Sequence, residues 1–503
     1  MPLVLGGAAA PVTPAYTIAN SCRFSDASSH HLTRTPSSSG DPETFTISCW
    51  LKRGVGYYTR ETNMGDQTIV TTARGSGYRY TYPFYFNGTD DTLYAYGGTF
   101  DGGSPVTLDK KTVAVFRDTS AWYHYYFVYD TTETAAADRI QLYINGTQIT
   151  DAGVGRGFSP YTIPGLNVDS FFGNTTDVFS IGGGSAGGSP FDGYMAEFIF
   201  VDGTVPPVTE FGEFNEDSPT IWQPKDPSEA SITWGTNGLW LDFQDSADLG
   251  NDVSGQGNDM VANNFTASDQ GTDSPTNNFC VMNCNDNKYV DAIYTEGNNQ
   301  LTIANGIKSW ATGTLGMSAG KWYWEVKMSA NTGSDTNDQG YGIVDRVAVS
   351  AADDVYGVGY PANYVYESQG RFVESETTNT NSCPDTYTTG DIMMFALDLV
   401  NDKIYYGKNG TWQCSGDPTS GASGTGAEDI KGTGDTDTSG FYFPSCSSET
   451  TSRGATWQFN FGGCSAFDVA SANQDGNGYG NFEYAVPSGY LALCTKNLGS
   501  DGG

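Results

Sequence analysis

Six side chains that carry oxygen atoms are concentrated in the stretch DSADLGNDVSGQGNDM, and calcium binding is the chemistry they could support. They are Asp245, Asp248, Asn251, Asp252, Asn258 and Asp259. Carboxylate and amide oxygens are ligands that Ca²⁺ prefers, although the spacing does not match an EF-hand. Two interpretations stay open. The loop either holds Ca²⁺, the one cofactor that the sequence suggests, or uses these side chains in Asx turns with its own backbone.

Clustered tyrosines offer a second kind of chemistry, the stacking of a ring face on a ligand. A tyrosine presents a wide apolar face with a polar tip, which suits glycans and protein partners alike. The alternative is that these rings pack between strands or at subunit contacts. The candidates occur in RGVGYYTR, SGYRYTYPF and ANYVYES, and they are Tyr57, Tyr58, Tyr78, Tyr80, Tyr82, Tyr364 and Tyr366.

The residues that most often carry catalysis are scarce or isolated. The chain has only three histidines, His30, His31 and His124. Few residues are therefore present that could bind zinc or act as a histidine base. Retaining glycoside hydrolysis needs two carboxyl groups about 5 Å apart, whereas Glu197 and Asp398 are each the lone acid of their strand. The sequence therefore predicts that the chain is not an enzyme.

The charge balance restricts the partners. The chain of 503 residues has 58 acidic and 24 basic side chains, a formal net charge of −34. Nucleic acid would be repelled. No apolar run approaches 18 residues, so we expect no membrane insertion. The nine cysteines are odd in number, lack CxxC spacing and do not indicate a disulfide framework.

Alternating apolar and polar residues recur along the chain and predict an all-β fold. TFTISCWLK places Phe45, Ile47, Cys49 and Leu51 on one face, and WYHYYFVYD is apolar or aromatic on both faces. KWYWEVKM directs Trp322, Trp324, Val326 and Met328 inward, with Tyr323, Glu325 and Lys327 outward. Two such series on either side of a Pro-rich stretch predict two antiparallel sandwiches.

The phrases IQLYINGTQI and KIYYGKNGTW each contain an Asn-Gly-Thr. Asn145-Gly146 and Asn409-Gly410 suit two-residue type I′ hairpin turns, because both residues tolerate a positive φ. The alternative interpretation, a glycosylation acceptor, requires a secretory pathway. We expect plain turns.

Longer phrases resemble known families. SCRFSDASSHHLTRTP, TFTISCWLKR, AWYHYYFVYD, RIQLYINGTQI, FSIGGG and FDGYMAEFIFVDGT resemble, in order, the laminin-G-like, concanavalin-A-like lectin/glucanase fold. GKWYWEVKM, GDIMMFALDLVNDKIYYGKNGTW, ATWQFNFG and VPSGYLAL resemble a SPRY domain. Glucanases of the first fold carry E-x-D-x-x-E or E-x-D-x-E, which is not found here. Laminin-G-like domains often hold one Ca²⁺ at a rim between loops.

The resemblance implies a fold class and a division of the chain. The fold class is all-β, with two concanavalin A-like antiparallel β-sandwiches, or jelly rolls, joined by a connector. We expect an N-terminal arm over 1–19, a laminin-G-like sandwich over 20–204, a connector with short strands over 205–299 and a SPRY-like sandwich over 300–503.

The connector and the first residues are similar to structural proteins of marine bacteriophages, which implies a virion protein made in the host bacterial cytoplasm. We expect a non-enzymatic tail fibre, appendage or capsid fibre that binds host-surface glycan or protein. Its arm would contact other virion proteins, and the chain would form a homo-oligomer. The alternatives are a capsid decoration protein without a ligand, a secreted lectin-like protein, and a glycanase with unrecognised acids.

Overall fold

The computed structural model of the chain describes the following residues: 4–5, 16–54, 66–73, 79–99, 106–150, 157–184, 189–287, 292–303, 309–331, 339–345, 363–374, 377–379, 384–431, 439–448 and 454–501. Contacts divide the chain into two compact units. The N-terminal unit is centred on residues 12–276 and the C-terminal unit on residues 277–503.

The N-terminal unit is built from short strands. The first strand of the chain, β1, spans Val4–Leu5. The strands of the N-terminal unit come after it in the chain and are β2 (Ser21–Phe24), β3 (His31–Arg34), β4 (Thr44–Arg53), β5 (Gln67–Ala73), β6 (Arg79–Phe86), β7 (Thr92–Thr99), β8 (Val106–Val115), β9 (Tyr123–Asp130), β10 (Ile140–Ile144), β11 (Thr147–Gln148), β12 (Phe158–Thr162), β13 (Val178–Ile181), β14 (Gly193–Asp202), β15 (Gly212–Phe214), β16 (Trp222–Pro224), β17 (Leu239–Leu241), β18 (Val261–Asn263) and β19 (Gln270–Gly271). Single 3₁₀ turns lie at Ala136–Asp138, Val208–Glu210, Pro227–Glu229 and Ala267–Asp269.

Most of these strands form two antiparallel sheets. Sheet I has the order β11-β10-β9-β4-β14-β2-β19, with β17 beside β14, and sheet II has the order β12-β8-β7-β6-β5-β13-β3-β18. Alternate residues of both sheets meet in one core, which includes Phe45 and Phe127 from sheet I and Phe84 and Phe86 from sheet II. The predicted inward face of β4 is confirmed, because all four of its residues belong to this core.

The second face of sheet I is also covered. Tyr126, Val128 and Ile199 point away from the main core and pack with Phe211 and Trp240 from the segment that follows β14. This explains why β9 is apolar on both faces, as the sequence predicts. The same segment contributes the hairpin of β15 and β16, whose Trp222 lies against the ring of His124 at 5.8 Å between centroids.

The C-terminal unit is a second set of strands. They are β20 (Met282–Asn287), β21 (Ala292–Thr295), β22 (Gln300–Ile303), β23 (Ser309–Gly313), β24 (Leu315–Gly316), β25 (Lys321–Asn331), β26 (Gln339–Asp345), β27 (Asn363–Glu367), β28 (Arg371–Glu374), β29 (Thr377–Asn379), β30 (Ile392–Asp398), β31 (Lys403–Lys408), β32 (Thr411–Trp412), β33 (Glu428–Asp429), β34 (Tyr442–Ser448), β35 (Ala455–Asn460) and β36 (Leu491–Ala492), with 3₁₀ turns at Gln413–Ser415 and Pro418–Ser423. The α-helix α1 spans Thr495–Asp501.

These strands also form two sheets. Sheet III has the order β20-β23-β34-β26-β27-β28-β29, and sheet IV has the order β21-β22-β35-β25-β30-β31-β32, with β33 beside β31 and β36 beside β25. Tyr341 of sheet III packs edge-on against Trp457 and Phe395 of sheet IV, at 5.7 and 6.4 Å between ring centroids. The unit is therefore a second sandwich.

One prediction about β25 is wrong in part. Trp322, Trp324, Val326 and Met328 are buried as expected, but Tyr323 and Glu325 on the other face are buried too, each at 0% exposure. The reason is the chain after β35, which covers this face. Phe482 packs on Tyr323 at 5.0 Å, and the amides of Glu483 and Tyr484 donate to Glu325 at 3.0 and 2.8 Å.

The two predicted Asn-Gly hairpin turns are confirmed. Asn145 and Gly146 have φ of 47° and 70°, and Asn409 and Gly410 have φ of 47° and 81°. In both turns the asparagine side chain accepts a hydrogen bond at 2.8 Å from a neighbouring strand, from the amide of His124 in one unit and of Ile392 in the other. Each asparagine therefore fixes the turn and joins it to the adjacent strand.

The prediction of an all-β fold with antiparallel sandwiches is thus confirmed. Contacts group residues 205–276 with the N-terminal unit and 277–299 with the C-terminal unit, and the four predicted boundaries stay a prediction. Of the cysteines within the described ranges, Cys414 is disulfide-bonded and the other seven are buried thiols. Across the same ranges, no helix combines the length and hydropathy that a membrane crossing requires.

Candidate functional site

Four tyrosines form a continuous row on sheet II, which we call the tyrosine ladder. They are Tyr82 and Tyr85 of β6 with Tyr94 and Tyr96 of β7. Tyr82 lies opposite Tyr96 and Tyr85 opposite Tyr94 in the antiparallel register. Ring centroids are 5.6 Å apart for Tyr82 and Tyr85, 5.1 Å for Tyr85 and Tyr94, and 5.9 Å for Tyr94 and Tyr96.

The ladder lies on the face of sheet II that points away from the sandwich core. Phe84, Phe86, Leu93 and Ala95 alternate with the ladder residues and belong to the core, so strand alternation places the tyrosines on the opposite face. The register shifts between Tyr82 and Tyr85. Such an irregularity lets two residues three positions apart share one face, and it completes the row.

The ladder combines ring surface with polar groups. Tyr82, Tyr94 and Tyr96 are half-buried, and Tyr85 is 9% exposed. Asp109 lies opposite Tyr96 in the register and accepts a hydrogen bond at 2.6 Å from the hydroxyl of Tyr94.

The hydroxyls of Tyr85 and Tyr94 stay protonated at neutral pH. Burial raises the pKa of Tyr85 above its ordinary value, with nearby Asp66 as a further cause. Burial and the hydrogen bond to Asp109 raise the pKa of Tyr94 in the same way. Tyr85 and Tyr94 therefore present neutral phenols, which both donate and accept hydrogen bonds.

The structure places the predicted tyrosines in three different situations. Tyr82 belongs to the ladder. Tyr57, Tyr58 and Tyr78 lie outside the described residues, as does the side chain of Tyr80, whose backbone belongs to β6.

Tyr364 and Tyr366 do not offer ring faces to a ligand, and the alternative interpretation, packing between strands, describes them, since their exposures are 2% and 0%. Both point inward from β27. Tyr366 packs against Phe372 and Tyr406 at 5.3 and 5.6 Å between ring centroids.

Sequence reasoning missed Tyr85, Tyr94 and Tyr96. A signal for two of them was present in TLYAYGGT, where tyrosines alternate with alanine and glycine as on one face of a strand. No sequence signal gave Tyr85, because its position depends on the register shift in β6. The pairing of two separate tyrosine-bearing strands is what creates the site.

The predicted calcium loop is held by its own backbone. Asp245, Asp248 and Asp252 each accept a hydrogen bond from the amide two residues later, at 2.9, 3.1 and 2.9 Å. The Asx-turn interpretation therefore describes the geometry of these turns. Among the described residues, no group of three or more His, Cys, Asp or Glu is placed to hold a metal ion.

The other predicted calcium ligands also have partners. Asp259 accepts from the amide of Asp252 at 3.0 Å, and Asn258 donates to Thr236 and Gly238. The amide of Asn251 donates to the carbonyl of Asp248 at 3.1 Å. Calcium binding by this loop stays a prediction.

A buried serine–histidine pair lies on the second face of sheet I. Nε2 of His124 and Oγ of Ser48 are 2.8 Å apart, and the indole N–H of Trp222 donates to Nδ1 at 3.1 Å. Because Trp222 can only donate, the ring hydrogen of His124 lies on Nε2 and is donated to Ser48. Burial also lowers the pKa of His124 to about 3. This histidine thus cannot accept a proton from Ser48, and the pair lacks the arrangement of a catalytic base and nucleophile.

Glu197 is buried at a strained position, and it is not the lone acid of its strand, because β14 also includes Asp202. Its φ is 48°, at the register shift between Ala196 and Ile199 in β14. The hydroxyl of Tyr16 donates to Oε1 at 2.8 Å, and the indole of Trp240 donates to Oε2. Burial raises the pKa of Glu197 to about 7, despite these two donors, and the charges of Asp242 and Asp226 act in the same direction as burial.

The other acid singled out in the sequence, Asp398, makes structural contacts. It accepts from the amides of Val400 and Asn401 at 3.0 and 3.1 Å and pairs with Lys321 at 2.8 Å. These contacts fix the turn between β30 and β31.

Comparison with known proteins gives a family match for part of the N-terminal unit. Residues 26–207 match the profile described as the Concanavalin A-like lectin/glucanases superfamily, of the laminin G type. The predicted concanavalin A-like domain is thereby confirmed over this range. No curated protein matches the chain.

Several solved structures are similar to parts of the chain. The SPRY domain of human HERC1 has 16% identity and a TM-score of 0.26, over 37% of this chain and 96% of that chain. A human SPRY domain has 14% identity and a TM-score of 0.22, over 31% and 90%. A Bacteroides ovatus protein assigned provisionally to carbohydrate binding has 18% identity and a TM-score of 0.29, over 49% of this chain and 59% of that chain.

Proposed function

We propose that the chain is a non-enzymatic glycan-binding protein and that the tyrosine ladder is its contact surface. The observation that carries the proposal is the row of four neighbouring rings on the outer face of sheet II, bordered by Asp109. Ring faces match the apolar faces of sugars, and a few placed polar groups fix the orientation of a ligand. The family match to a lectin/glucanase superfamily supports the same class of ligand.

The charge of the chain favours a neutral ligand over an anionic one. The formal net charge is −34, so a polyanion would be repelled over the whole surface. Stacking on neutral phenols does not depend on charge, and binding through the ladder would persist at high ionic strength. A neutral polysaccharide or the neutral part of a host-surface glycan fits these conditions.

The binding test compares the wild type with Tyr82→Ala/Tyr96→Ala on a glycan array and then by calorimetry with the best oligosaccharide. Each ring face covered by sugar contributes on the order of 1.5 kcal/mol, so losing both rings weakens binding by on the order of a hundredfold. The matched control is Tyr143→Ala, which removes a half-buried tyrosine from sheet I. A double variant that binds as tightly as the control would refute the ladder as the site.

The proposal also states that the chain does not hydrolyse the glycans it binds, and a separate assay tests this. Incubation of the wild type with array-positive polysaccharides should release no reducing sugar. Release would establish the glycanase alternative. It would also identify the acids responsible once each was replaced by its amide.

We further propose that the protein serves on a virion as a tail fibre, appendage or capsid fibre. The proposal rests on the similarity of the connector and first residues to phage structural proteins, and on an acidic surface that keeps many copies apart. In this role residues 1–19 contact other virion proteins, and the chain forms a homo-oligomer. An electron-microscopy map of an intact particle tests it, since a tail location supports host attachment and a capsid location without glycan binding supports decoration. A chain found only as a secreted product, with a cleaved N-terminus, would favour the lectin alternative.

A further inference from the structure

A small cavity opens at the rim of the N-terminal sandwich, beside the end of β8. Its volume is about 160 Å³, and its walls include Val115, Phe116, Arg117 and Asp118 with Tyr123 and Tyr125. We call it the rim cavity. Phe116 and Tyr125 have ring centroids 6.1 Å apart and provide aromatic surface inside it. A cavity of about 150 Å³ holds one six-membered ring, so the rim cavity matches a single cyclic ligand.

The polar groups around the cavity balance each other in charge. Arg53 and Arg117 both contact the buried carboxylate of Asp91, at 2.8 and 3.2 Å. Asp118 supplies the second negative charge at the wall. The charges of two guanidinium groups are therefore balanced by the charges of two carboxylates, and this balance favours a neutral ligand over an ionic one.

Asp118 is held so that it can accept one more hydrogen bond. Its Oδ1 accepts from the amide and hydroxyl of Ser120 at 2.9 and 2.6 Å, and its Oδ2 accepts from the hydroxyl of Tyr123 at 2.8 Å. A carboxylate has about four acceptor positions, and these bonds fill three. A hydroxyl donor in the cavity would complete the set.

The cavity lies beside the strand that neighbours the ladder, because Val115 of β8 lines it and β8 pairs with β7. Lys111 pairs with Tyr94 of the ladder, and Val115 at the cavity mouth pairs with Thr92 of the same strand β7. The register shifts between these two pairs, so that four residues of β8 stand against two residues of β7, and the separation along β7 is about 7 Å. Val113 and Val115 are both exposed, at 50% and 47%.

We propose that the rim cavity binds the terminal ring of a neutral glycan whose following residues lie along the tyrosine ladder. The proposal rests on the glycan-binding function proposed above and adds a preference for chain ends. The terminal ring packs against Phe116 and Tyr125 and donates a hydroxyl to Asp118. A free neutral monosaccharide binds the cavity alone, without contact with the ladder.

Saturation-transfer NMR with a panel of free neutral hexoses and N-acetylhexosamines tests the proposal on the full chain. Val115→Trp places an indole over the cavity mouth at an exposed position, and Val113→Trp is the matched control, since Val113 is equally exposed but does not line the cavity. We expect transfer in the wild type and in Val113→Trp, and at least a tenfold loss in Val115→Trp. Asp118→Asn tests the hydrogen bond and should weaken the same signal, because an amide nitrogen donates where the carboxylate accepts.

Parallel measurements on Tyr82→Ala/Tyr96→Ala separate this proposal from the one on which it rests. That variant should lose oligosaccharide binding and keep monosaccharide transfer. Transfer that is absent in the wild type, or unchanged in Val115→Trp, overturns the cavity proposal, while loss of oligosaccharide binding in the ladder variant still supports the ladder. If the wild type binds neither monosaccharides nor oligosaccharides, both proposals fail.

Discussion

Replacement of Glu197 by glutamine tests the electrostatics of the N-terminal unit most sharply. Burial raises the pKa of this carboxyl from 4.5 to about 7, so the folded state favours the protonated form. The stability due to this group is fully present below pH 4.5, falls as the pH rises towards 7, and stays low above that. The difference between the two limits is about 3 kcal/mol.

Glutamine keeps both hydrogen bonds without the charge. Its side-chain oxygen can accept from the indole N–H of Trp240, and its amide can donate to the hydroxyl oxygen of Tyr16, the two groups that contact Glu197 in the wild type. We therefore expect Glu197→Gln to match the wild type near pH 4.5 and to exceed its free energy of unfolding by about 3 kcal/mol at pH 8.5.

Urea unfolding of the full chain at several pH values between 4.5 and 8.5, followed by tryptophan fluorescence, measures this difference. Trp240, which contacts Glu197, is one of the ten tryptophans that contribute to this signal. The control is Glu229→Gln, which makes the same substitution at an exposed residue of the same unit. If the stability difference between Glu197→Gln and the wild type is constant with pH, or if the variant is less stable at pH 8.5, the buried carboxyl does not destabilise the folded state when it ionises.

Three further substitutions have expected outcomes that urea or thermal unfolding can check. Gly146→Ala should lower the free energy of unfolding by about 2–4 kcal/mol, because the φ of Gly146 is +70° and an added Cβ would lie 2.3 Å from the ring of Trp222. The control is Gly255→Ala. Gly255 has a φ of +85° and open space around it, so this variant should show only the smaller cost of the backbone conformation. Asp252→Ala should lower the free energy of unfolding by about 1–3 kcal/mol, because this carboxylate accepts hydrogen bonds from three backbone amides. If the loop is held by Asx turns, the loss of stability should be the same with Ca²⁺ and with EDTA. A loss of stability seen only with Ca²⁺ would show a metal site. Tyr366→Ala should cost about 3–5 kcal/mol, since its ring is fully buried, and a change under 1 kcal/mol would contradict its place in the core.

The sequence was informative where structure depends on neighbours along the chain. Alternation in β4 predicted its core face, and Asn145-Gly146 predicted a hairpin turn that has the expected positive φ at both residues. Both signals are local, because strand alternation and turn conformation are set within a few residues.

The errors arose where distant segments decide burial. Tyr323 and Glu325 are polar enough to be expected at a surface, but the chain near Phe482 covers them. Tyr366 was a candidate for ring stacking, but its strand lies within sheet III and directs the ring inward. A pattern of one strand shows which residues share a face and does not show what covers that face.

The candidate site was only partly predictable for the same reason. Tyr82 was identified from its own strand, whereas the ladder requires the pairing of β6 with β7 and a register shift beside Tyr85. Register shifts depend on how two strands align in the folded sheet. The sequence therefore predicted the type of residue at the site and one of its members, and the structure supplied the arrangement.

A crystal structure of the chain with the oligosaccharide that binds most tightly on the array tests the central claim most directly. We expect a sugar ring stacked on Tyr82 or Tyr96, on the outer face of sheet II. Sugar bound at any other surface, with the ladder unoccupied, would contradict it.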